Sequence, residues 1–113
     1  MSGLAEKTCQ PCRGGVPPLS EAERAPLLEE LHDDWRIVDG HHLARTFRFR
    51  NFADALAYVN LVGELAESVN HHPDLQLAWG KVVVEIFTHK IDGLHEADFV
   101  FAAKCDRLHA RAE

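Results

Sequence analysis

From Phe52 to Val69, apolar residues recur every three or four positions: Phe52, Ala55, Leu56, Val59, Val62, Ala66 and Val69. Such spacing lays one apolar stripe along an amphipathic helix of about 19 residues. Asn51 can cap its start. Pro73 disfavours helical geometry at His72, so the helix is expected to stop near Asn70 or His71. Before this helix the pattern alternates. Leu43, Phe47 and Phe49 share one parity and Arg48 and Arg50 the other, as in a half-buried strand. Arg45 falls on the apolar parity, which predicts a wet end to that face. Trp35 to Val38 reads as the preceding strand, and Asp39-Gly40 is a hairpin signal between the two.

After the helix, Leu75 and Leu77 lead into a tight turn at Trp79-Gly80-Lys81. Val82, Val84 and Ile86 then face one way, and Val83, Glu85, Phe87 and His89 the other. That alternation places His89 at the end of the last strand. Asp92-Gly93 turns the chain into a third helix from His95 or Glu96, with Leu94, Phe99, Phe101, Ala102, Cys105 and Leu108 available for packing. Asp98 lies in its first turn, where negative charge is favoured. At the other end of the chain, Ser20 and Glu23 form a capping-box pattern ahead of Leu27, Leu28 and Leu31. Pro26 predicts that this first helix is short or displaced.

The predicted order is α-β-β-α-β-β-α. Short turns between consecutive strands make the four-stranded sheet antiparallel, with the three helices on one face: an α+β two-layer fold. Uncovered sheet edges suggest edge-to-edge or helix-to-helix assembly. Residues 1–18 hold three glycines, three prolines, Cys9 and Cys12, the composition of a flexible leader. Residues 19–113 then form one domain. The Cys9/Cys12 pair reads as part of a tail, with metal, redox and intersubunit-disulfide roles as alternatives. Cys105 reads as a small buried or half-buried apolar residue.

Composition narrows the function classes. The chain has 113 residues and a net charge of −6. No lysine or arginine cluster is available to replace phosphate counterions, which argues against a nucleic-acid partner. No apolar run approaches the roughly 20 residues of a membrane span, and no secretory signal pattern is visible. A cytoplasmic location follows as the default. Histidine is abundant, at eight residues. His32, His41, His42 and His109 fall in polar surroundings and are expected to be solvated.

The chemistry concentrates in Glu67-Ser68-Val69-Asn70-His71-His72-Pro73, followed by Trp79, His89 and Asp98. Imidazole titrates near neutral pH, at about 6.5 when unperturbed. Converging histidines therefore point either to acid–base catalysis or to a metal site. Glu67 and His71, four residues apart, can project from one side of the helix's last turn. Asp98, close in sequence to His89, is expected to fix that ring's tautomer and stabilise its protonated form. His71, His72 and His89 could also supply metal ligands. Against this, side chains of adjacent residues diverge, and no H-E-x-x-H or H-x-H pair is present. Each residue also has a plainer role: a helix terminus for His71-His72, a dipole-favoured first-turn residue for Asp98, a core aromatic for Trp79.

Glu67-x-x-x-His71-His72-Pro73, then Trp79, His89 and Asp98, resembles the signature of the pterin-4a-carbinolamine dehydratases. Trp35, Phe47-Arg48-Phe49, Asn51-Phe52, Thr88-His89 and Gly93-Leu94 agree with it, and the resemblance covers about residues 19–112. It implies conversion of 4a-hydroxytetrahydropterin, released by aromatic amino acid hydroxylases, into quinonoid dihydropterin and water, with no metal and no organic cofactor. His71, His72 and His89 would form the catalytic set, Asp98 would support His89, Glu67 would line the site, and Pro73 and Trp79 would be supporting or substrate-binding residues. Dimers or tetramers are implied as well. His95 stands where relatives often carry Ser or Thr, which predicts a weaker cap on the third helix. Two other roles known among such proteins remain open on the sequence: a dimerisation cofactor of a homeodomain transcription factor, and a protein tied to molybdenum cofactor handling.

Overall fold

The computed structural model describes Leu4 and residues 17–112. Cys9 and Cys12 lie outside the described residues. The elements run α1 (Glu21–Glu29), β1 (Arg36–Val38), β2 (His42–Arg48), α2 (Phe52–Val69), β3 (Asp74–Ala78), β4 (Lys81–Ile86) and α3 (Glu96–Ala112), with a short 3-10 turn at His89–Ile91. The sheet is antiparallel throughout, in the order β1-β2-β4-β3. The architecture is therefore the α+β arrangement that the hydrophobic pattern predicts, with β1 and β3 at the edges.

Local signals account for the elements. Ser20 and Glu23 exchange both hydrogen bonds of the capping box, and α1 continues through Pro26, which sits exposed in its middle. Asp39 and Gly40 both have positive φ, 54° and 64°, the combination a two-residue type I′ hairpin turn requires. The His41 amide closes that turn on the Val38 carbonyl at 2.9 Å. In β4, Val82, Val84 and Ile86 are buried and alternate with half-exposed Val83 and Glu85. The buried set meets Ala55, Tyr58, Val62 and Ala66 of α2 and Phe99, Phe101 and Ala102 of α3 in one core. Cys105 is fully buried in it. So is Leu4, the one described residue before Pro17, although the leader's composition predicts flexibility there.

Arg45 corrects the expectation of a wet face. It points among the core residues with 6% exposure, its guanidinium 4.2 Å from the centre of the Phe47 ring. Nη1 donates to Asp106 of α3 at 2.6 Å. The same carboxylate accepts the Trp35 indole N–H at 2.8 Å. Burial pushes the Asp106 carboxyl above its usual range, against the pull of Trp35 and Arg45. An arginine thus occupies an apolar parity because a carboxylate from a helix satisfies it. His109 departs from expectation similarly. It is half-buried among the rings of Phe47, Phe49 and Tyr58.

Candidate active site

The end of α2 sets the geometry. Asn70 adopts the left-handed conformation, φ 55° and ψ 44°, which Asn tolerates better than most side chains. Its N–H and that of His71 both reach the Ala66 carbonyl, which terminates the helix. His71 and His72 therefore leave the helix in different directions. His71 turns inward, packs beside Phe101 and is 11% exposed. His72 stays outside at 52% exposure.

β4 stops at Ile86, short of the expected strand end at His89. Thr88 and Gly93 form an isolated bridge, with the Thr88 amide on the Gly93 carbonyl at 2.8 Å. The chain between them makes the 3-10 turn, and His89 opens it. His71, His72 and His89, with Asn70, Phe87, Thr88 and Lys90, line one cleft of about 150 Å³.

Asp98 is fully buried behind His71. Its Oδ1 takes the His71 Nε2–H at 2.7 Å. Oδ2 accepts the Thr88 hydroxyl at 2.7 Å and the His95 backbone N–H at 2.8 Å. The pairing corrects the expected one: Asp98 supports His71, not His89. The left-handed turn at Asn70 brings His71 down onto the start of α3, while the 3-10 turn carries His89 outward. A carboxylate only accepts, so His71 carries its proton on Nε2 and keeps the Nδ1 lone pair for a ligand. At the α3 N-terminus Asp98 accepts the His95 N–H, the half of a capping box that the third residue of a helix supplies; the half that a Ser or Thr would supply is a separate bond.

Glu67 pairs with His72, at 2.6 Å from Nε2, and not with His71. The turn carries His71 off the helix face, and His72 swings into reach instead. Glu67 does not line the cleft; it borders a neighbouring groove with Val59, Gly63 and Leu75. Pro73 is half-buried at the head of β3. Trp79 is not brought to the cleft. It lies in the β3–β4 turn at 69% exposure, beyond the five residues of β3 that follow Pro73, or roughly 20 Å away along the strand. Among the described residues no three metal-ligating side chains are placed to hold an ion.

Sequence reasoning gave no site role to Asn70, Phe87, Thr88 or Lys90, although Asn70 lies in the histidine segment and Thr88-His89 is among the pairs that carry the resemblance. Thr88 had a faint signal, as the residue next to His89 and one step out of register with the outward set.

A model of the pterin 4 alpha carbinolamine dehydratase family matches residues 17–108. The chain belongs to this family of hydro-lyases. A candidate pterin-4-alpha-carbinolamine dehydratase of Rubrobacter xylanophilus is 62% identical over 108 residues, covering 96% of this chain and 100% of its own length. Another, from Alkaliphilus metalliredigens, is 55% identical, covering 95% of this chain and 96% of its own. Among solved structures, a transcriptional coactivator/pterin dehydratase from Brucella melitensis aligns with TM-score 0.75 and 33% identity over 80% of this chain and 97% of its own. A pterin dehydratase-like protein described as a RuBisCO assembly factor of the alpha-carboxysome aligns with TM-score 0.60 and 25% identity, over 69% of this chain and 92% of its own.

Proposed function

We propose that this protein dehydrates 4a-hydroxytetrahydropterin to quinonoid dihydropterin by histidine acid–base catalysis. The observation that carries the reading is the cleft that three imidazoles share, one backed by a buried carboxylate and another by an exposed one. In the reaction the C4a–O bond breaks. An acid protonates the departing hydroxyl, which leaves as water, and a base removes the proton from the adjacent ring nitrogen. The electrons of that N–H bond form the new C=N bond. His71 and His89 divide the acid and base duties, and His72 orients the pterin. Asp98 holds the His71 tautomer and ring orientation. Phe87 offers an apolar wall to a flat heterocycle.

The substrate would come from an aromatic amino acid hydroxylase in the cytoplasm, within tetrahydrobiopterin recycling, and the working unit would be a homodimer or homotetramer. The names of the two structural neighbours, and the exposed Phe52 and Leu56 on α2, favour a second reading as an interaction module. The complete histidine set favours the enzyme, since a binding role has no need of it.

Stopped-flow mixing with freshly generated 4a-hydroxytetrahydropterin tests the proposal. Rapid dehydration is expected for the native protein. Loss of one acid–base group costs about 10²–10⁴-fold, and His71→Ala and His89→Ala should each show it. Native rates in both variants would defeat the assignment.

A further inference from the structure

His71 and His72 each have a carboxylate to orient them; His89 has none. Among the described residues its ring nitrogens make no hydrogen bond. What holds the ring is packing. Its centroid lies 4.2 Å from that of Phe87, with the planes inclined by 41°. Phe87 in turn is packed by His41, at 4.4 Å and 45°.

His41 is not the solvated residue that its polar surroundings predict. It is half-buried, placed by the Asp39-Gly40 turn, and three contacts fix its ring. Nε2 is 2.7 Å from Asp92 Oδ1. Nδ1 is 3.1 Å from Nδ1 of His42, and His42 Nε2 is 3.4 Å from Glu85 Oε2. The third contact is Phe87. Asp92 closes the 3-10 turn that His89 opens: its amide meets the His89 carbonyl at 3.2 Å, and its φ is 50°. His41 therefore grips the His89 loop at both ends, through a ring at its start and a carboxylate at its finish.

We infer that His41 is a positioning residue, which sets the angle of the His89 ring in the cleft from the far side of Phe87. The functional half of this inference rests on the acid–base reading of the cleft; the structural half does not. A displacement of 1 Å in a reacting group can cost about 10²-fold in rate, so the grip matters most for the imidazole that lacks a carboxylate.

The test uses the full chain. In His41→Ala, kcat should fall about tenfold or more, while KM stays within about twofold, because the loss is of transition-state geometry and not of uniform binding. His41→Phe keeps a ring on Phe87 and should recover part of kcat. Asp92→Asn should lose less than His41→Ala. In a His89→Ala background, His41→Ala should cost nothing further, since a positioning residue acts through the group it positions. Nuclear magnetic resonance supplies a readout free of catalysis: the ring protons of His89 should move in His41→Ala, and those of His71 should not. Unmoved His89 protons, a native kcat in His41→Ala, or an equal loss in the His89→Ala background would each overturn the inference. If the native protein fails to dehydrate the carbinolamine, the acid–base reading falls, and the His89 protons still decide whether the grip exists. Should His41→Ala not fold, His41→Phe and Asp92→Asn carry the same comparisons.

Discussion

The carboxylate of Asp98 receives an imidazole, a hydroxyl and a backbone amide from three separate segments. An Asn in its place keeps one acceptor oxygen and turns the other position into a donor. If the amide nitrogen takes the Oδ1 position, His71 loses its acceptor; if it takes the Oδ2 position, Thr88 and His95 both do. If it faces His71, the ring must accept on Nε2 and carry its proton on Nδ1, the wrong atom for a base. Asp98→Asn should therefore slow dehydration by about 10²–10⁴-fold, the worth of one acid–base group, as measured by stopped flow. Asp98→Ala should also destabilise the fold by about 1–3 kcal/mol for each buried donor left unmatched, read from urea unfolding. Asp98 was legible in the sequence as a site residue, but its partner was not. Proximity along the chain pointed to His89, nine residues away. The true partner is separated by 27 residues, and only the turn at Asn70 brings it close. The role of His41 was hidden for a related reason: its partners Phe87 and Asp92 lie just past the end of β4, the strand paired with β2, and polar sequence neighbours say nothing of them.

Among the elements, α2 shows what periodicity can and cannot reveal. The three-and-four spacing and Pro73 located the helix end to within a residue or two, because burial and proline sterics are local in sequence. Direction after the end is not local in that sense. It depends on one residue entering the left-handed region, and that residue aims both His71 and His72. Asn70→Ala should cost about 1–2 kcal/mol, the penalty for a Cβ-bearing residue in that conformation without a helpful side chain. Asn70→Gly should be close to neutral. Thermal melts of the two variants give the comparison. The last strand failed at the opposite end for the same kind of reason. Alternation predicts a strand as far as His89, but β4 ends at Ile86 and the Thr88–Gly93 bridge folds the chain back from two residues later. Trp79 read as a site residue from its place in a spaced signature, and the straight run of β3 puts it at the wrong end.

For the whole molecule, the core joins sheet and helices through a few buried polar contacts as well as apolar packing. The Tyr58 hydroxyl of α2 donates to the Cys105 carbonyl of α3 at 2.9 Å. Burial pushes this phenol far above its ordinary value of 10.0, with the fields of Cys105 and Asp106 adding to the effect. For an acid the sign follows directly: the unfolded chain releases the proton first, so the folded state loses ground as pH rises. The contribution is intact below pH 10.0 and declines above it. Tyr58→Phe should flatten that alkaline fall in the urea midpoint, at a cost near neutral pH of about 1 kcal/mol for the lost hydrogen bond. Tyr58 is also the one tyrosine in the chain. Ultraviolet absorption by phenolate can then come only from molecules whose interior has opened. An alkaline spectrophotometric titration counts denatured chains without a label.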